Sequence, residues 1–149
     1  MSTRIITDHI LNGLNEALTI TADGPGPDGA SHRYDIIGKA EIIPGIGPRP
    51  FGVNLRFQNG PIGRNPDGTT RLQDLNGISN EALLAVLIDR MRGFQFERNP
   101  DGSFDESKRG KFACKENACA LTHMEEALMW LHKRTRDRMR RGVEGTMNK

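Results

Sequence analysis

The sequence predicts an α+β fold, a small antiparallel β-sheet followed by a long two-helix antiparallel hairpin. Segments of alternating, β-branched character occupy the first 60 residues, and two stretches with apolar residues three and four apart follow residue 79. Between them lies a Gly-, Pro- and Asn-rich stretch without periodicity. A length of 149 residues suits one domain spanning 1–149, with 1–62 mainly β, 76–141 the helical hairpin and 142–149 a flexible tail.

Thr7 offers an N-cap for a short helix over 8–15 that Gly13 would weaken, and residues 1–12 stay undecided. Residues 17–22 (ALTITA) alternate, 23–30 (DGPGPDGA) turn the chain and 32–38 (HRYDIIG) resume an extended pattern, so this is a β-hairpin. Residues 41–43 and 51–57 (FGVNLRF) add strand, and the three prolines of the intervening PGIGPRP keep it out of any central position. Three or four strands result.

Residues 60–75 read as loop and carry the turn Asn65-Pro66-Asp67-Gly68, which recurs as Asn99-Pro100-Asp101-Gly102. Proline second and glycine fourth suit a type I turn. Ser79 or Asn80 can cap a helix whose apolar face is Leu83, Leu84, Leu87, Ile88, Met91 and Phe94. The charged, turn-rich stretch 97–110 is expected to be a mobile surface loop. In the last element Cys114, Ala118, Leu121, Met124, Leu128, Leu131 and Thr135 recur at intervals of 4, 3, 3, 4, 3 and 4, which predicts a helix from Cys114 to about Arg141.

With 36% hydrophobic residues, 5% aromatics, 17 glycines and 8 prolines, the core is thin, and burial between subunits would help such a chain. No apolar run approaches 18 residues and no signal-peptide pattern is present, so a cytosolic protein that does not span a membrane is expected. Net charge is only +2, yet residues 132–141 hold Lys133, Arg134, Arg136, Arg138, Arg140 and Arg141 against Asp137.

Beyond Leu131 the apolar stripe of the last helix leads to Arg134 or Thr135 and then Arg138, with Asn117 beside it at the other end. Arginines that continue an apolar stripe need an anion, a carboxylate or a subunit boundary. A guanidinium holds a phosphate bidentately and an Asn amide reads a base edge, so ligand contact and a plain helix-end or interface role both stand. The loop Gly24-Pro25-Gly26-Pro27-Asp28-Gly29 matches GxGxxG, but a strand follows it and two prolines remove donors, so it is a hairpin loop and not a dinucleotide cradle. Cys119 and His123 stand four apart without two further ligands on their face, which leaves a core cysteine, a surface histidine and no metal. Trp130 and Phe94 are expected in the core; Phe94 could otherwise stack on a purine. No nucleophile turn or carboxylate pair argues for an enzyme, and no cofactor is expected.

The runs LNEALTITADGPG at 14–26, HRY at 32–34, FQNGPI at 57–62, NGISNEALLAVLIDRMRGFQ at 76–95 and FACKENACALTHMEEALMWLHKRTRDRMRRGVEGT at 112–146 resemble a family of phage proteins. That family is the Thoeris anti-defence type 1 sponge, which shares its hairpin with the anti-CBASS type 2 sponge. By this resemblance residues at about 63–72 and 96–109 are extra. The resemblance implies a homo-oligomer, a dimer or a hexamer, that acts in the cytoplasm of the infected bacterial host and captures cyclic nucleotide immune signals without cleaving them. It implies a pocket at a dimer interface for cyclised ADP-ribose, to which Phe94, Asn117, Arg134 and Arg138 correspond. A second pocket, for cyclic oligonucleotides, corresponds to Lys115 and Thr122; relatives often carry arginine where Lys115 stands. The alternatives are a nucleic-acid binding module that uses the arginine-rich helix end, a less favoured partner, and a structural phage assembly protein.

Overall fold

The computed structural model describes residues 3–39, 42–45, 47–48, 51–143 and 146, and they form an α+β protein. They divide into two compact units, one running to Asn59 with Leu75–Ile78 and the other comprising Gly60–Asp74 with the chain from Ser79 onward.

The first unit holds a four-stranded antiparallel sheet of β1 (Arg4–Ile6), β2 (Leu18–Ala22), β3 (Arg33–Gly38) and β6 (Gly52–Arg56), in the order β1-β2-β3-β6. Between β3 and β6, β4 (Ile42–Ile43) and β5 (Gly47–Pro48) pair with each other, so the described part of the proline-rich segment stands apart from the main sheet. The helix anticipated over 8–15 is displaced: α1 spans Gly13–Glu16, and its cap is Asn12, whose side chain accepts from the Asn15 N–H at 3.1 Å. An asparagine at that position satisfies an orphan helix donor, which the earlier Thr7 cannot do for a helix that begins six residues on. The GxGxxG segment is the β2–β3 connection, closed by the Gly26 N–H on the Ala30 carbonyl at 2.7 Å.

In the second unit, α2 (Asn80–Gln95) and α3 (Lys115–Arg140) form the hairpin. Ser79 caps α2 by accepting from the Ala82 N–H at 3.1 Å. The helices run antiparallel: Arg92 near the end of α2 meets Glu125, and Leu87 one turn earlier lines a groove with Leu131. Apolar burial is as thin as the composition suggests, since among the described residues only Ala22, Ile88 and Leu121 are buried apolar side chains.

Residues 97–110 are not the irregular loop that their charge predicts. They form, with Phe96, the antiparallel pair β7 (Phe96–Arg98) and β8 (Phe104–Arg109). The cause is local. Gly102 N–H closes the turn on the Asn99 carbonyl at 2.9 Å with Gly102 at φ 86°, and Asp101 accepts from both the Ser103 N–H and hydroxyl. That is a type I turn followed by a left-handed glycine, a standard hairpin connection. Arg98 seals it by donating to the Gly102 carbonyl at 2.9 Å while stacking on Phe104 at 4.2 Å. Residues 64–70 repeat the device, with Arg64 on the Gly68 carbonyl at 3.0 Å and Asp67 on Thr69.

Of the expected flexible tail at 142–149, residues 144–145 and 147–149 lie outside the described residues. Arg138 donates to the carbonyls of Val143 at 3.0 Å and Thr146 at 2.8 Å, beyond a left-handed Gly142 (φ 67°).

Candidate functional site

The sequence-predicted residues all lie in the helical hairpin, and helix geometry sorts them. On α2, Leu83, Leu87, Arg90 and Phe94 recur at intervals of 4, 3 and 4, one stripe along one side. On α3, Asn117, Met124, Leu131 and Arg138 stand seven apart, also one stripe, with Arg134 four residues before Arg138. The two stripes border an open apolar groove of about 290 Å³ lined by Asn80, Leu83, Leu84, Leu87 and Leu131. Phe94, Asn117, Arg134 and Arg138 therefore share one broad face of the hairpin.

They do not share one end of it. Asn117 and Arg134 are seventeen residues apart in one continuous helix, about 25 Å along the axis at 1.5 Å per residue. Phe94 belongs to the Asn117 end, because the next residue, Gln95, accepts the Cys114 N–H at 3.0 Å through its side-chain oxygen. Arg134 and Arg138 lie beyond Leu131, at the end where α2 begins.

The Asn117 end is tightly built. Gln95 is 8% exposed, the one buried polar side chain among the described residues, and its backbone carbonyl also takes the Gly110 N–H at 2.8 Å. Gly110 sits so close that a Cβ there would stand 2.6 Å from the Phe94 carbonyl oxygen. Cys114 is the N-cap of α3, its sulfur accepting from the Asn117 N–H at 3.4 Å, so this cysteine acts as a cap and not as the plain apolar residue expected. The Asn117 side-chain amide donates to the Phe112 carbonyl at 3.5 Å, which fixes its plane and leaves its own oxygen without a hydrogen bond among the described residues. Arg90 lies over the Phe94 ring at 5.2 Å.

The other end is defined by charge. Asp137 accepts from Lys133 at 2.5 Å and lies 3.9 Å from Arg140; the Lys133 hydrogen bond, then the positive charge of Lys133, Arg140 and Arg141, holds its carboxyl below the usual value. Arg134 is exposed and makes no hydrogen bond or ion pair among the described residues. The apolar stripe therefore continues through half-buried Thr135 and not through Arg134, while Arg138 is half-buried and engaged with the tail carbonyls.

Lys115 and Thr122 are seven apart and share a stripe, but Lys115 is two residues from Asn117, about 200° around the helix, and so lies on the opposite side. Both are exposed, and the Thr122 hydroxyl donates to the Ala118 carbonyl at 3.0 Å. On that side Arg92 clasps Glu125 with two hydrogen bonds, of 3.1 and 2.6 Å.

Sequence reasoning overlooked Gln95, Gly110 and the Arg92–Glu125 clasp. A signal existed for the first: Leu84, Ile88, Met91 and Gln95 recur at 4, 3 and 4, so a polar residue takes the last place of a core stripe. Two core assignments are overturned. Trp130 is 64% exposed, since it lies nine residues from Leu121 and so half a turn out of phase with that buried side chain, and Cys119, out of phase in the same way, is exposed. Among the described residues no three His, Cys, Asp or Glu side chains are grouped to hold a metal.

Residues 53–136 match the family described as "Acb2/Tad1, hairpin domain". The chain is also 41% identical over 97 residues to the protein "Thoeris anti-defense 1" of Bacillus phage SBSphiJ7, an alignment that takes in 65% of this chain and 54% of that protein. The chain thus spans about half the length of that relative. The matched segment covers more than half of the sequence and contains α2, most of α3 and every candidate site residue apart from Arg138, which lies two residues past its end: the chain belongs to the Acb2/Tad1 hairpin family.

Proposed function

We propose that this chain is a phage anti-defence protein that binds and sequesters a cyclic nucleotide-derived immune signal, cyclised ADP-ribose foremost, without cleaving it. Its place of action is the cytoplasm of the infected host. The observation that carries the reading is the division of one candidate site between two ends of a hairpin. Phe94 and Asn117 supply a stacking ring and a base-reading amide, and Arg134 and Arg138 supply phosphate-binding cations about 25–30 Å away along the axis. A compact cyclic nucleotide cannot span that distance. Two copies with their hairpins antiparallel bring the aromatic end of one to the cationic end of the other, which makes a pocket at a dimer interface. The exposed apolar surface supports such an assembly: Val86 and Trp130 are each 64% exposed and Leu87 43%, more than isolated surface residues explain. Burial of the ligand between subunits, with phosphates neutralised and the base stacked, gives affinity without a catalytic group.

Lys115 and Thr122, on the opposite side of α3, form the second pocket in this reading, assembled in a hexamer and suited to cyclic oligonucleotides. A lysine there holds a phosphate as a point charge and not through a bidentate fork.

The test is a thermal-shift titration against cyclised ADP-ribose isomers, cyclic dinucleotides and cyclic trinucleotides, with a short duplex as control. The expected result is a rise in Tm with one small ligand, lost in an Arg134→Ala, Arg138→Ala double variant, and recovery of that ligand intact after denaturation. A folded protein that responds to none of the panel would sink the proposal. The exposed Arg134, Arg136, Arg140 and Arg141 favour one second reading, a nucleic-acid binding module. It predicts a shift with the duplex alone, with log affinity falling linearly against log salt.

A further inference from the structure

The stripe that carries Phe94 contains a cation that the proposed site does not yet use. Arg90 lies one turn before Phe94 on α2, between Leu87 and Phe94, on the face that bears Asn117, Arg134 and Arg138. Its guanidinium rests over the Phe94 ring, 5.2 Å from the centroid. Its neighbours in sequence behave differently. Arg92, two residues on and turned to the other side, is committed to Glu125, and Arg98 bonds the Gly102 carbonyl and lies 3.5 Å from Asp89. Arg90 is exposed and, among the described residues, makes no hydrogen bond and no ion pair.

We propose that Arg90 is a further ligand-contacting residue of the nucleotide pocket, one that binds a ligand phosphate while stacked on Phe94. The proposal rests on the sequestration reading above. A guanidinium over a ring is held in place by the ring quadrupole, yet its in-plane N–H groups remain free to donate. It therefore costs less side-chain entropy to place on a phosphate than a cation held by nothing. A purine taking the other face of Phe94 would leave Arg90 where it is, across the ring from the base, with its N–H groups open to a phosphate that reaches round the edge of the ring. The residue also bears on selectivity. It supplies positive charge at the aromatic end of the pocket, so a ligand with phosphates near its base gains more than one whose charge reaches only Arg134 and Arg138.

The experiment uses the full chain and the tightest-binding cyclised ADP-ribose of the panel. Kd is measured by calorimetry for the wild type, Arg90→Ala and Arg90→Lys at low and high salt, with Tm and oligomeric mass as controls. Arg90→Ala is expected to weaken binding about tenfold at low salt, with a shallower salt dependence than the wild type. Arg90→Lys should fall between them, because it keeps the charge and loses the fork. Wild-type affinity in both variants would overturn the inference and leave the sequestration reading standing. A loss in Arg90→Ala with the salt dependence unchanged would also overturn it, since Arg90 would then only orient the ring. A wild type that binds nothing in the panel removes the sequestration reading and this inference together.

Discussion

The two ends of α3 differ in what holds them. At its start, position is fixed by short backbone contacts and a buried amide: Gly110 against the Phe94 carbonyl, Gln95 on the Cys114 N–H, and Cys114 capping Asn117. At its far end Arg134, Arg136, Arg140 and Arg141 are exposed around the acceptor Asp137. The difference teaches that one half of the candidate site is a matter of shape and the other a matter of charge. Changes at the first should alter folding and binding together, and changes to the arginines of the second should alter binding with little effect on folding.

The largest effect is expected where shape is tightest. A methyl group at Gly110 has backbone on its nearest side, which cannot rotate away as a flexible side chain would. Gly110→Ala should cost about 2–3 kcal/mol in urea unfolding and reduce ligand binding by displacing Phe94. An unchanged midpoint would show that the two segments separate freely. Gln95→Ala comes next. It leaves the half-buried Cys114 N–H without its acceptor at the place where α3 begins, for about 1–3 kcal/mol. Gln95→Glu, which keeps an acceptor, should restore part of that.

These two residues also mark the boundary of what a sequence discloses. Both helices were legible because 3–4 spacing repeats over four and seven turns, and β2, β3 and β6 because alternation is bounded by glycine and proline, whereas β1 falls within residues 1–12, which the sequence does not decide. The β7–β8 pair was hidden because Glu97, Arg98, Asp105, Glu106, Lys108 and Arg109 give it the composition of a solvated loop; only the Asn-Pro-Asp-Gly turn betrayed it. At the site, the spacing left the apolar stripe to pass through Arg134 or Thr135; it passes through Thr135, and Arg134 is free for an anion. Trp130 misled because aromatic residues are usually buried, and its phase relative to Leu121 was the better guide. Gly110 could not have been read at all, because its role depends on Phe94 and Phe96, a segment fourteen to sixteen residues earlier.

At the charged end the expected pattern reverses. Arg134→Ala should leave urea stability within about 0.5 kcal/mol of the wild type, since the side chain is exposed and unpaired. Affinity for the anionic ligand should fall about tenfold, the loss expected of one charge-assisted contact. A fall in stability of the same size as that of Gln95→Ala would mean that this end, too, is built by packing, and the contrast would fail.

The smallest effect concerns the anion within that cluster. Asp137 offsets part of the positive field of that end, so Asp137→Asn should tighten binding of an anionic ligand, by about twofold at low salt and not at high salt. Its cost in stability has a definite pH signature. The folded carboxyl is held below its usual value of 3.8, so its contribution is fully present above that pH and lost as pH falls through the folded value. The wild type should therefore exceed Asp137→Asn in Tm near neutrality, and the two should converge on acidification below about pH 4. Weaker ligand binding by Asp137→Asn would show instead that Lys133 and Arg140 must be held in place by the carboxylate, and that even the cationic end of the helix depends on geometry.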